Sequence, residues 1–193
     1  MKSIANLLFE ARLLKKIPRS GYHFLGSGKE SVAEHSFAAA FIGYVLSRIV
    51  PEADSARIIE MCLVHDLAEA RTGDMNYVQK KYVTVDEEKA VRDMTAGLSF
   101  EPDLKGLIEE FNACESPEAQ LAHDADQLAL IVELKALKDL GNTHAESWLS
   151  FIVKRLRTEA GKRLCKEILK TGWDEWWFEK DEEDWWVNGN NST

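Results

Sequence analysis

The stretch "LVHDLAEARTGD", residues 63 to 74, sets a histidine, two aspartates, a glutamate and an arginine at the end of a segment that otherwise reads as buried helix. Ile58, Ile59, Met61, Cys62, Leu63, Val64, Leu67 and Ala68 cover most of a helical circumference, so His65 and Asp66 are expected at or near full burial. A buried carboxylate costs several kcal/mol unless a strong partner or a metal ion takes its charge. Helical spacing puts Glu69 one turn beyond both residues on the same flank, with Asp74 arriving after the turn at Gly73. For an isolated His-Asp pair, a core histidine bonded to a carbonyl and an aspartate paired with an arginine is the better reading. The company shifts it: His35 lies one turn into the helix opened by "ESVAEHS", and Asp126 lies in "AHDADQLALI". Together these supply the nitrogen and oxygen ligands a divalent cation takes. Asp124 competes with Asp126, since both lie at the edges of one apolar face and periodicity does not separate them.

The elements that must position these groups are helical. Apolar residues recur at helical spacing almost everywhere and period-two runs rich in Val, Ile and Thr are nearly absent, which predicts an all-α, single-domain bundle. A first stripe of Ile4, Leu7, Leu8, Ala11 and Leu14 is stopped by Pro18, and "PRSGYHFLGSGKES" reads as loop. A capping box of Ser31 and Glu34 opens a second helix that runs to about Val50. A third, with Asp54 as N-cap, runs through the charged stretch to a stop near Gly73. Thr84 with Glu87 predicts a capped helix ending near Leu98, and "DLKGLIEEFNA" a shorter one. Ser116 followed by Pro117 begins a long helix that ends at Gly141, and Thr143 with Glu146 repeats the capping pattern before "SWLSFIVKRLRTEAGKRLCKEIL".

Composition bounds the function. The chain of 193 residues carries 33 acidic and 24 basic side chains, a formal net charge of −9, and its basic residues form no long stripe, so a nucleic-acid polymer is not the expected partner. No run of about eighteen apolar residues occurs, and Asn6, Glu10 and Arg12 break the N-terminal segment, which predicts neither a membrane span nor a signal peptide and hence a cytoplasmic protein. Cys62, Cys114 and Cys165 are isolated and odd in number, and read as reduced core residues. Residues 1–172 form the expected bundle. Residues 173–193 form an acidic extension holding five of the six tryptophans, with a frayed end. Its aromatics are expected over the bundle or at a subunit contact with residues 181–184 solvated; binding of a separate partner is the second reading.

The order His, His-Asp, Asp, with "ESVAEHS", "VHDLAEARTGD" and "DADQL" around it, resembles the HD-domain metal-dependent phosphohydrolases, in particular the branch with bacterial 5′-deoxynucleotidases and their eukaryotic relatives. The resemblance runs from the first helix to about Lys170. It implies an all-α bundle in which His35, His65, Asp66 and Asp126 bind one divalent metal ion (Mn, Co, Fe, Zn or Mg), Glu69 and Asp74 serve as catalytic carboxylates, and Arg19 in "IPRSGY" meets the phosphate. It also implies a homodimer. The function expected from it is metal-dependent hydrolysis of deoxyribonucleoside 5′-monophosphates to nucleoside and phosphate, with scattered lysines offering little for a triphosphate. The alternatives are hydrolysis of another nucleotide, such as a triphosphate or alarmone, and a non-catalytic nucleotide-binding module. An oxidative di-iron site is disfavoured because no histidine stands between His65 and His123.

Other polar residues take simpler readings. Glu34 is explained by its capping box, and Arg71 by the surface. His23, His123 and His144 read as surface or capping-region residues, and Tyr77, Lys80 and Lys81 as a solvated loop, with contact to a nucleotide as their second reading. Ser20, Gly21 and Tyr22 are candidates for a wall against the sugar.

Overall fold

Side-chain acceptors fix where several of this protein's helices begin. In the computed structural model, which describes residues 1–178 and 183–189, the helices are α1 (Lys2–Ala11), α2 (Val32–Ile49), α3 (Ser55–Val64), α4 (Glu69–Thr72), α5 (Glu87–Thr95), α6 (Glu101–Ala113), α7 (Pro117–Asp139), α8 (Thr143–Ile152), α9 (Glu159–Lys170) and α10 (Glu183–Asn188). Ser31 accepts from the Glu34 amide while Glu34 returns the bond to Ser31, which completes the expected capping box. Asp54 caps α3 through the Arg57 amide, and Ser116 caps α7 through the Ala119 amide, as the sequence predicts.

Two caps differ from expectation. Asp86 rather than Thr84 accepts from the Lys89 amide, which starts α5 at Glu87 and leaves Glu87 and Glu88 in the favourable first turn. Asn142 rather than Thr143 accepts from the amides of His144 and Ala145. The segment after it is not one helix either: Leu156 is extended and Thr158 caps a new helix, α9, by accepting from Gly161. The stretch after Pro18 also contains a 3-10 turn, Ser20–Phe24.

The third helix departs most. Its regular ladder stops at Val64, and the bonds Leu67 to Val64 and Glu69 to Asp66 tighten the chain to a three-residue repeat before α4. Residues three apart in such a turn share one side, so Glu69 follows Asp66 rather than taking a regular helical position. Within the regular helix Leu63 lies 58% exposed, so the circumference is not apolar all round.

Helices α2, α3 and α7 pack together around Leu46, Ile58, Met61, Cys62, Leu128, Ile131 and Leu134, all buried. A second apolar cluster joins Val32 and Leu67 to Val91, Met94, Leu104 and Ile108 of α5 and α6. In the first stripe Leu14 is buried but Leu8 is exposed. No strand occurs among the described residues, where one backbone bridge, Pro18 to Ser31, ties the loop after α1 to the start of α2. The three cysteines are free and buried. In the extension, Trp177 meets Trp173, Phe178 and Trp186, while Trp176 is exposed. Residues 181–182 and the side chains of 183–184, expected to be solvated, and the end at 190–193, expected to be frayed, lie outside what the structure describes.

Candidate metal centre

The buried faces of α2, α3 and α7 bring three ligand-type side chains to one point. His35 of α2 is fully buried, and its Nε2 lies 2.7 Å from Asp126 Oδ1 of α7. His65, which closes α3, places Nε2 3.8 Å from the same oxygen. One ligand atom from each of His35, His65 and Asp126 lies within 4.8 Å of the others. Asp66 stands beside them, with Oδ2 3.2 Å from His65 Nε2. It is held from the other side by Arg19 Nη1 at 3.3 Å.

Whether this set fits a divalent ion turns on which atoms are spare. His65 Nδ1 lies 2.8 Å from the Cys62 carbonyl, which can only accept, so Nδ1 carries a hydrogen and, once the ring is neutral, Nε2 presents its lone pair inward. That Nε2 is buried and has no hydrogen bond, as has Glu69 Oε2. Buried polar atoms without partners are costly, so the donor set suits an ion. His35 has a carboxylate behind it: Glu30 Oε2 lies 3.8 Å from Nδ1 and accepts from the Tyr22 hydroxyl. The sequence reading missed Glu30 because nothing in "GKES" sets it apart from a solvated loop charge. Gln127 Nε2 donates to Asp126 Oδ2 and fixes the carboxylate plane.

The titration of these groups reflects crowding by charge. Burial opposes ionisation of Asp126, but the hydrogen bond and charge of His35, with His65 and Arg19 behind, hold its carboxyl far below the usual range. Burial likewise opposes charge on His65, yet Asp66 and Asp126 push its pKa up to about 9. Glu69 goes the other way: burial, then the neighbouring charges of Asp66 and Asp74, raise it to about 8. A cation at the centre reverses both tendencies, favouring neutral imidazole and ionised carboxylate.

Asp74 reaches the site after Gly73, whose φ of +74° turns the chain. Its Oδ2 accepts from the Ser20 amide at 2.5 Å and the Ser20 hydroxyl at 2.9 Å. Ser20 therefore anchors Asp74 instead of facing a sugar, whereas Gly21 and Tyr22 do line the cavity. The Arg19 amide donates to the Glu30 carbonyl, so the arginine loop is fastened at both ends.

The side chains of this centre, except those of Ser20, Glu30 and His35, open on a cavity of about 270 Å³. Tyr77 and Lys80 line it too, from a loop on which both stay exposed, as do Trp148 and Arg155 from α8 and the turn after it. No sequence signal links those two to a centre so distant in the chain. His123 is no surface residue: it stacks on Phe111 with ring centroids 4.3 Å apart and donates to the Phe111 carbonyl. His23 and His144 are exposed, and Arg71 pairs with Glu10.

Asp124 points away from the centre. Buried completely, it accepts from the Arg157 amide at 2.7 Å, the Thr158 amide at 2.8 Å and the Thr158 hydroxyl at 2.6 Å. Gly161 is needed there, since a Cβ would stand 2.2 Å from Asp124 Oδ2.

Comparison with known proteins identifies the family. The sequence matches the HD domain family over residues 11–168, and the chain belongs to that family. A Bos taurus protein named 5′-deoxynucleotidase HDDC2 is 31% identical over 146 residues, covering 71% of this chain and 70% of the relative. The human protein of that name is 28% identical over 145 residues, covering 72% and 70%. A conserved hypothetical protein from Pyrococcus furiosus has a TM-score of 0.76 at 28% identity, over 86% of this chain and 99% of that one. The HD phosphohydrolase of cyanophage S-2L, described as bound to dA and one catalytic Zn2+ ion, shares the fold with a TM-score of 0.55 at 21% identity, over 84% and 96%.

Proposed function

We propose that the protein is a metal-dependent phosphomonoesterase that converts deoxyribonucleoside 5′-monophosphates to nucleoside and phosphate. One observation carries this reading: unpartnered His65 Nε2 and Glu69 Oε2 converge with Asp126 and Arg19 on one cavity. The relatives named 5′-deoxynucleotidase support the substrate class.

His35, His65, Asp66 and Asp126 hold the ion. A divalent ion there supplies Lewis acidity and lowers the pKa of water toward neutrality. Arg19 gives the phosphate a forked, permanently charged donor. Ionised Glu69 accepts a proton from the attacking water, its buried site matching its basicity to neutral solution. Asp74 keeps the Arg19 loop in place with one oxygen and orients the substrate with the other.

Lys80 and Arg155 add cations to the cavity wall, so charge alone does not exclude a longer phosphate; Arg155 is, however, engaged over the Tyr77 ring at 5.2 Å. The stacked, carbonyl-bound His123 supports one ion rather than a di-iron pair. We also assign residues 1–172 to the catalytic domain and 173–193 to an extension, in keeping with the HD match ending at residue 168. A homodimer is supported by the solvent-facing stripe Phe37, Phe41 and Tyr44 on α2, and light scattering tests it. A cytoplasmic location fits three free cysteines. Phosphate release from deoxynucleoside 5′-mono- and triphosphates, the matching ribonucleotides and 3′-monophosphates, at saturating metal, tests the function. A preference for triphosphate would overturn it.

A further inference from the structure

Part of the cavity wall is aromatic, and the chemistry above leaves it unused. Two short runs of chain lead to it from the charged end. From Arg19, bonded to Asp66, the chain needs two residues to reach Gly21, where a Cβ would stand 3.3 Å from Trp148 Cη2. From Asp74 it needs three residues to reach Tyr77, whose ring meets the same indole edge-on with centroids 6.4 Å apart and planes at 72°. The bonds between Ser20 and Asp74 make the two runs advance together. With about 3.8 Å between successive Cα atoms, such runs span at most roughly 7–11 Å. A pentose bridges a gap of that order between a phosphate and a base. Arg155 lies over the Tyr77 ring, 5.2 Å from its centroid, and fixes its orientation through a cation–π contact. Leu25 and Leu130 extend the apolar lining.

We propose that Trp148 and Tyr77, steadied by Arg155, form the subsite that receives the nucleobase. The inference rests on the nucleotide reading above. Gly21 is part of the device, because a Cβ there would press on the indole, which would have to give by a few tenths of an ångström. Stacking on a π-face is tolerant of base identity, so purine and pyrimidine substrates both fit, with purines favoured by their larger face.

The test compares specificity constants for deoxyadenosine 5′-monophosphate and for 2-deoxyribose 5-phosphate on the metal-loaded full chain. Direct calorimetric binding of deoxyadenosine accompanies it. Trp148→Ala is expected to lower the nucleotide constant roughly tenfold or more, through KM, and to weaken deoxyadenosine binding likewise, while the base-free sugar phosphate changes less than about twofold. Trp148→Phe should recover most of the loss. Tyr77→Ala, on an exposed loop, should repeat the effect at several-fold and decides the matter if Trp148→Ala does not fold. An equal fall on both substrates, or deoxyadenosine binding untouched in both variants, overturns the subsite. Failure of the wild type on every nucleotide while other phosphoesters are hydrolysed overturns the nucleotide reading instead, and deoxyadenosine binding then still decides the subsite.

Discussion

Helix α7 carries two acidic residues two positions apart that meet opposite surroundings. On the side facing α9, Asp124 receives three hydrogen bonds from Arg157 and Thr158 and has no unmet neighbour. On the side facing α2 and α3, Asp126 sits among imidazole nitrogens, one of which has no partner. Asp124 is wholly buried and Asp126 keeps 18% of its side chain exposed toward the cavity, yet partial exposure alone does not tell a ligand apart. What does is completeness: the protein satisfies Asp124 by itself, whereas the surroundings of Asp126 call for one more positive group. A structural carboxylate closes its own account, and a ligating one leaves it open.

The largest expected effect breaks the Asp126 side. Replacing His35, His65, Asp66 or Asp126 by Ala should each remove the ion and with it nearly all phosphate release, since one lost ligand from a mononuclear site leaves too few to replace the ion's water. Metal analysis after dialysis, paired with a phosphate assay, reads this. Next, Glu69→Ala should retain the ion and lose about a hundredfold or more in kcat, the loss typical of removing a positioned base; normal turnover would remove Glu69 from the mechanism.

The Asp124 side breaks differently. Asp124→Ala strands three donors and should cost about 2–4 kcal/mol in stability while the folded protein still binds its ion. Gly161→Ala drives a Cβ against Asp124 Oδ2 and should destabilise by about 1–3 kcal/mol with the same retention of metal. Denaturant unfolding measures both.

How far the sequence discloses this contrast depends on the kind of signal. The capping box at Ser31, the Ser116-Pro117 start and the helical spacing are local, and they locate α2 and α7 well. His35, His65 and Asp66 are legible as polar residues in apolar helices. The separation of Asp124 from Asp126 is not, because it depends on Thr158, a cap hidden in a segment that reads as continuous helix. The tightened turn at 65–68 leaves no mark either: Leu67 and Ala68 suit a regular helix equally well, and packing against the second apolar cluster decides. Trp148 and Arg155 reach the cavity only through tertiary structure.

Smaller effects sharpen the Asp126 side. In the metal-free protein Asp66 and Asp126 push the His65 pKa up to about 9, and burial with neighbouring charge pushes that of Glu69 up to about 8; a cation held by His65 displaces its proton and favours ionised Glu69 beside it. Metal binding should therefore release protons at pH 7, and its apparent affinity should fall as pH falls. Calorimetry in buffers of different ionisation heat measures the release; no buffer dependence would contradict it. Ser20→Ala loosens Asp74 without touching the ion and should lower kcat/KM by about fivefold, the worth of one hydrogen bond.

The most direct measurement is metal content per folded chain for the wild type, Asp126→Ala and Asp124→Ala, loaded and dialysed side by side. One ion, almost none and one ion respectively are expected. An Asp124 variant that loses its ion beside an Asp126 variant that keeps it would contradict the assignment.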